Sequence, residues 1–379
     1  LKKKTFQGCS SLTNITIPDA YVIENEAFME NHGITEINFP SVLEIKYMGF
    51  FNCKNLYSID LKNCLKLGIG SFFECTKLSI INLPKLIDLG SYAFSSTSIV
   101  NVELNSVFNL SRFEKIGMQF ANCVKLTHVT MKNIKYIDIK MFENCPQLIY
   151  VDMPNVSRIC DNAFIGCNSL NNISFPNIIS IDEHAFEGLL GITEINLPSI
   201  KIISSYAFRQ CQNLVTVDCI NCITIFTESF LNCSRLERIN LPNLISLGVS
   251  AFENTALKKI ELNSVNSIYR IGDSGLQFSG CSKLTHVSMK KAPYIQGEMF
   301  KNCINLIYID FPKAKSVENR SFIGCNSLSN ISLPNIHVIL SECFKNNPSI
   351  KEINFPSLLY IYSDAFYNCT KLEKVHCEN

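Results

Sequence analysis

The chain has 379 residues, 47% of them hydrophobic, and a formal net charge of +1. Near-neutral charge argues against a nucleic-acid groove, which needs clustered positive charge, and no apolar run is long enough to span a bilayer in this segment. The run Lys2-Lys3-Lys4 reads as a solvated end rather than a binding tail.

Taken from the N-terminus, phenylalanine recurs at Phe6, Phe28, Phe50, Phe72 and Phe94. It continues at Phe120, Phe142, Phe164, Phe186, Phe208, Phe230 and Phe252, then at Phe278, Phe300, Phe322, Phe344 and Phe366. Fourteen of these sixteen steps are 22 residues; the steps 94→120 and 252→278 are 26. A fixed period of this size predicts a solenoid in which each repeat is one rung. Residues 1–379 are therefore expected to form one elongated body instead of the two or three domains its length would suggest. The chain begins at Leu1 with no signal-peptide pattern and with no polar capping rung, so it reads as a segment of a longer or trimmed protein.

Aligned rungs read A-F-x-x-C-x-x-L-x-x-I-x-L-P. Numbering each rung from its Phe, positions +9 and +11 are apolar (Ile173 and Phe175 after Phe164), while +8 and +10 are polar (Asn172 and Ser174). Period-two alternation predicts a short strand with one buried face. Stacked rung on rung, these strands form a parallel sheet at a spacing of about 4.8 Å. Proline follows the strand in ten rungs, among them Pro40, Pro176 and Pro334. It has no N–H for a ladder and marks where the chain leaves the sheet. A later apolar position (Ile23, Ile45, Ile159, Ile181, Ile203) should pin the return segment, and the Phe column should stack as an aromatic spine.

This rung resembles the BspA-type leucine-rich repeat of bacterial and protist proteins, and the resemblance runs from about Thr5 to Cys377. It implies an α/β-type repeat solenoid dominated by short parallel strands: a right-handed leucine-rich-repeat superhelix of about 17 rungs with little regular helix. It also implies a surface adhesion or host-interaction role, although function follows fold only loosely.

A longer repeat overlies the rungs. Residues 164–178, FIGCNSLNNISFPNI, return as FIGCNSLSNISLPNI at 322–336, and Lys125–Val129 returns as Lys283–Val287. A seven-rung block at about 28–185 thus reads as duplicated at 186–343, with a third copy begun at 344. The two long rungs carry insertions at 105–119 and 263–277, read as surface insertions or as paired docking protrusions using Arg112 and Arg270.

Twelve of the 18 cysteines occupy position +3, where other rungs have Asn31, Thr97, Leu189, Thr255 and Asn347. A position so permissive is a turn-lining core site, so a buried reduced ladder is expected. Cys219-x-x-Cys222 stands alone, without a second pair at zinc-site spacing, and no nucleotide or metalloprotease motif occurs. No catalytic residue, cofactor or metal site is assigned. Grouping Glu103, His128 and Asp152, or their copies Glu261, His286 and Asp310, into a catalytic or metal site lacks a nucleophile and a pocket.

Function is therefore sought on the outward strand positions. His128 beside Tyr150, and the copies His286 beside Tyr308, are the candidate anchors, with Glu103, Asp152, Glu261 and Asp310 around them. Two copies of one patch suit a repetitive or multivalent protein ligand. Eight N-x-S/T sequons, including Asn14, Asn172 and Asn330 on the strand face, point weakly to secretion, and unpaired cysteines point weakly to the cytoplasm. The expectation is a non-enzymatic protein-binding module at the cell surface or outside the cell, with an intracellular interaction scaffold as the alternative.

Overall fold

A computed structural model describes residues 1–112, 114 and 116–377, none of which is helical. The chain packs as two compact units, one of Leu1–Ile178 with His184–Ile192 and the other of Ile179–Glu183 with Thr193–Asn379. Each is a stack of rungs built from very short parallel strands.

In the first unit the outward-facing strands run at +8 to +10, as in Glu36–Asn38, Ser58–Asp60 and Ile80–Asn82, which pair in register. Asn101–Glu103, His128–Thr130, Tyr150–Asp152 and Asn172–Ile173 form a second such ladder. The middle residue is buried and its neighbours are more exposed, as the alternation predicts. The second unit repeats the arrangement through Glu194–Asn196, Thr216–Asp218 and Arg238–Asn240, then through Lys259–Glu261, His286–Ser288 and Tyr308–Asp310. In both long rungs this strand sits one position earlier, with Asn101/Glu103 and Lys259/Glu261 outward.

The return segment does more than pin itself to the core. Positions +16 and +17 form a second parallel ladder of two-residue strands, such as Val22–Ile23, Glu44–Ile45 and Lys66–Leu67. Between the two ladders the chain turns at the proline. The Val42 N–H donates to Phe39 O at 3.2 Å, and Ile178 N–H donates to Phe175 O at the same distance. Proline thus stands at the second position of a four-residue turn, where its fixed φ is already correct.

The corner that carries the Phe is built from two further turns per rung. Residues at −2 and +2 adopt left-handed φ throughout, for example Glu26 and Glu30 at 58° and Asn144 at 56°. Ala27 N–H closes on Glu24 O and Asn31 N–H on Phe28 O, which makes each left-handed residue the third of its turn. The N–H groups in between (Glu26, Phe28 and Glu30) donate to Tyr47, Gly49 and Phe51 of the next rung. The backbone donors from Glu26 to Asn31 are thereby satisfied without helix. The enclosed Phe rings stack along each unit, with centroids 4.7–5.7 Å apart from Phe6 to Phe186. From Phe208 to Phe366 the spacing is 5.1–5.6 Å.

The +3 cysteines are hydrogen-bond donors, not merely small core residues. The Cys53, Cys145, Cys167 and Cys325 thiols lie 3.0–3.1 Å from the Phe carbonyl of the preceding rung. Asn347 Nδ2 makes the same bond to Phe322 O at 2.8 Å, whereas Thr97 and Thr255 donate to their own Phe94 and Phe252 carbonyls. Most occupants of the position thus donate to a Phe carbonyl, whereas Asn31 accepts from Gly33 and Ile34 N–H instead and Leu189 is apolar. Burial pushes these thiols up, Cys167 to about 12 and Cys123 to about 11, so they stay protonated and able to donate. Cys219 and Cys222 are buried in the same manner and reach the carbonyls of Asn240 and Thr224.

The two insertions differ, which corrects their reading as a matched pair of docking protrusions. Phe113 and Lys115 of the first lie outside the described residues. Arg112, although exposed, is tied down: its Nε lies 2.7 Å from Oδ1 of the fully buried Asp138, and its guanidinium covers the Tyr136 ring at 4.6 Å. Gln119 and the Ile139 N–H complete the partners of that carboxylate. In the second insertion Gln296 replaces the aspartate and donates to Ile268 O, a small turn pairs Ile271 with Ser274, and Arg270 is exposed.

Candidate binding face

The in-register ladder brings the candidate anchors together as spacing alone predicted. In the first unit His128 pairs with Asn101 on one side and Tyr150 on the other, and the His128 and Tyr150 rings lie 6.0 Å apart, tilted by 48°. In the second unit His286 sits between Lys259 and Tyr308, with ring centroids 5.8 Å apart. Tyr308 is exposed; Tyr150 and His286 are half-buried, so the two patches present different areas of the same side chains.

Each histidine is held by the threonine before it. Thr127 Oγ1 lies 2.9 Å from His128 Nδ1, and Thr285 Oγ1 lies 2.8 Å from His286 Nδ1. Thr285 has one proton and gives it to Lys258 O at 2.9 Å; Thr127 gives its proton to Val100 O or to Asn101 Oδ1. The threonine oxygen must then accept from the ring, which assigns the proton to Nδ1 in the neutral imidazole. Nε2 is left as a hydrogen-bond acceptor on the face.

The carboxylates lie in the neighbouring row, not against the histidines. Thr130 pairs with Glu103 and with Asp152, so a threonine separates the two acids in the first unit. In the second, Ser288 takes that place with its hydroxyl 2.9 Å from Asp310 Oδ2 and from Asn263 Oδ1. A grouping of Glu103, His128 and Asp152 for acid–base chemistry is thus not assembled, and no cluster of three His, Cys, Asp or Glu among the described residues could hold a metal ion.

The first patch is a shallow concavity lined by Asn101, Val102, Glu103, His128, Thr130 and Tyr150. The corresponding hollow in the second unit is displaced towards Asn240, Lys259 and Glu261. The faces also differ in charge. Outward strand positions of the first unit carry Glu36, Asp60, Glu103 and Asp152 without a lysine or arginine, while those of the second interleave Arg238, Lys259 and Lys374 with acids. Asp60 is partly offset by Lys62, 3.5 Å away in the following turn. No helix among the described residues is long and apolar enough to cross a membrane.

Rungs of two short parallel ladders around a stacked Phe core define a parallel-strand solenoid of the leucine-rich-repeat class. The BspA-type leucine-rich repeat region matches at residues 1–115, 66–171, 102–215, 157–276 and 266–373, and the chain belongs to that family. Among solved structures it is similar to a leucine-rich repeat protein from Bacteroides ovatus, at 23% identity over 88% of this chain and 82% of that one, with a TM-score of 0.55. A leucine rich cell surface protein from Faecalibacterium prausnitzii aligns at 20% identity over 91% and 79%, with a TM-score of 0.33. These likenesses concern the fold alone. No curated protein matches the sequence. The family is typically one of protein-binding repeats, not of enzymes.

Proposed function

We propose that the chain is a non-enzymatic adhesion or host/matrix-interaction module that binds a protein ligand through its outward strand positions. One observation carries this reading: the same His–Tyr pair, with the same Thr-held tautomer, is presented at His128–Tyr150 and again at His286–Tyr308. Two such anchors, each among short polar side chains on its own unit's strand face, suit a repetitive or multivalent ligand, whose second contact costs less once the first is made. Glu103, Asp152, Glu261 and Asp310 would then flank the anchors. Placement at the cell surface or outside the cell rests on the family. The reading of 1–379 as one repeat array, with 28–185 copied as 186–343, rests on the Phe spacing that continues unbroken through Phe164, Phe186 and Phe208.

One observation favours a second reading, an intracellular scaffold using the same face. The thiol column works as donors, which requires reduced sulfur. Protease treatment of intact source cells separates the two: release of this chain's peptides supports the surface module, and protection until permeabilisation supports the scaffold. Alanine at His128, Tyr150, His286 and Tyr308 together should abolish capture of whichever ligand is found. Unchanged affinity would reject the face.

A further inference from the structure

In the second unit, the turn that ends the strand Thr216–Asp218 carries a cysteine at each end, Cys219 and Cys222. Cys222 N–H donates to Cys219 O at 2.9 Å. A four-residue turn closed in this way holds its end Cα atoms less than about 7 Å apart. A disulfide spans about 4.4–6.8 Å between Cα atoms. Both side chains are fully buried in the same core, and their thiols lie within hydrogen-bond reach of each other. That contact, together with burial, pushes Cys219 up, so the pair rests as two protonated thiols.

Packing does not account for the pair. In the other rungs from Phe6 to Phe344 the first of these positions holds Ile, Leu, Met or Phe, as in Leu197 and Leu241 on either side. Cysteine there gives up buried volume. The matching turn 158 residues earlier has Leu61 and Cys64. Cys64 N–H donates to Leu61 O at 3.0 Å, and the Cys64 thiol reaches Lys66 O at 3.4 Å, as the Cys222 thiol reaches Thr224 O at 3.5 Å. The two turns thus have the same hydrogen-bonded form, and only the second has a thiol at each end. The bonds these thiols make to carbonyls are also long. Cys219 lies 3.5 Å from Asn240 O, against 3.0–3.1 Å in the +3 column. Joining Cys219 to Cys222 therefore gives up less hydrogen bonding than joining two +3 thiols.

We propose that Cys219 and Cys222 form a disulfide by exchange with a small-molecule disulfide of the glutathione type. One cysteine thiolate attacks the donor's S–S bond, which forms a mixed disulfide and releases one donor thiol. The other cysteine then displaces the second donor thiol as the Cys219–Cys222 bond forms. The two cysteines lose two electrons and two protons in all, and the donor gains them as two thiols. Thiolate is the attacking form, so burial restricts the reaction to the rung while it folds or opens. In a compartment of oxidising poise the pair is closed and in a reducing one it is open, while the buried +3 column keeps its donors. The inference concerns the core of one rung and is independent of any ligand of the strand face.

The full chain, folded and in urea, is equilibrated in glutathione buffers of graded ratio, then acid-quenched, alkylated and digested for mass spectrometry. In urea the two cysteines are close only through the short chain between them, whereas the folded turn fixes their approach. Half-reduction of the Cys219–Cys222 link in the folded chain should therefore need about a tenfold higher ratio of squared reduced glutathione to oxidised glutathione than in urea. The buried +3 cysteines and Cys64 should stay reduced in the folded chain. Cys219→Leu, the side chain that Leu61 supplies in the matching turn, should leave Cys222 as reduced as Cys64. Half-reduction of the folded chain at the ratio found in urea, or at a lower one, would overturn the proposal. A folded chain in which Cys219 or Cys222 links preferentially to another cysteine would do the same.

Discussion

Raising the pH from 8 to 10 should weaken the first unit through its buried thiols. Cys64 and Cys167 are pushed up to about 12 and Cys123 to about 11, in each case chiefly by burial. Their ordinary value is 9.0. Between these limits the unfolded chain has released protons that the folded chain still holds. Fewer protons on the unfolded state means that stability falls as pH rises, while below about pH 9 the contribution is fully present. At pH 10 each thiol removes about 1.4 kcal/mol, and the three together remove about 4 kcal/mol. The comparison protein is the triple variant Cys64→Val, Cys123→Thr, Cys167→Thr. Val42 and Val156 already occupy the position of Cys64 in their rungs, and Thr97 and Thr255 that of the other two. Urea unfolding followed by far-ultraviolet circular dichroism, under reducing conditions at both pH values, reads the difference. Lysine and tyrosine ionise alike in both proteins, so the wild type should lose about 4 kcal/mol more than the variant. Parallel losses would refute the account of these cysteines as protonated core donors.

Three further outcomes follow from the packing. Phe164→Ala removes a ring stacked at 5.4 Å on Phe142 and 5.2 Å on Phe186, and should cost about 3–5 kcal/mol by denaturant titration, against roughly 1–2 for Phe164→Leu. Arg112→Ala strands the buried Asp138 carboxylate and should cost about 3–5 kcal/mol, most of it recovered by adding Asp138→Gln, the residue Gln296 supplies in the second copy. Glu30→Gly relieves a left-handed non-glycine residue and should stabilise by about 1 kcal/mol in thermal melts; an unchanged or lower midpoint would count against strain at the corner.

The strand face was legible because its signal is local and has period two. Glu36-Ile37-Asn38 or His128-Val129-Thr130 announces its buried face in three residues, and constant rung length carries the register from one rung to the next. Counting alone therefore placed His128 beside Tyr150. The corner was less legible. At +2 thirteen of 17 rungs have Gly or Asn, a left-handed signal that the consensus leaves as an unmarked x. At −2 the same conformation is filled by Lys4, Met48, Tyr92 or Leu276, so no composition betrays it. The role of Arg112 was hidden as well: its partner Asp138 is 26 residues away, on the next rung.

The internal duplication we propose makes the chain its own control for separating structure from function. Side chains needed by every rung, the Phe, the donor at +3 and the apolar +9, persist in both copies with few exceptions. His128, Tyr150 and Thr127 also persist as His286, Tyr308 and Thr285, although a solenoid needs no histidine or tyrosine on a solvated strand. Around the pair the acids persist as well, Glu103 as Glu261 and Asp152 as Asp310, while Asn101 became Lys259. A ligand contacted at both copies should consequently depend on the shared pair and differ in its charge preference between patches. Alanine at His128 and Tyr150 alone should leave binding that weakens when Lys259 is changed to asparagine, and alanine at His286 and Tyr308 alone should leave binding insensitive to that change. Equal sensitivity in both backgrounds would mean that the two patches are not separate contacts.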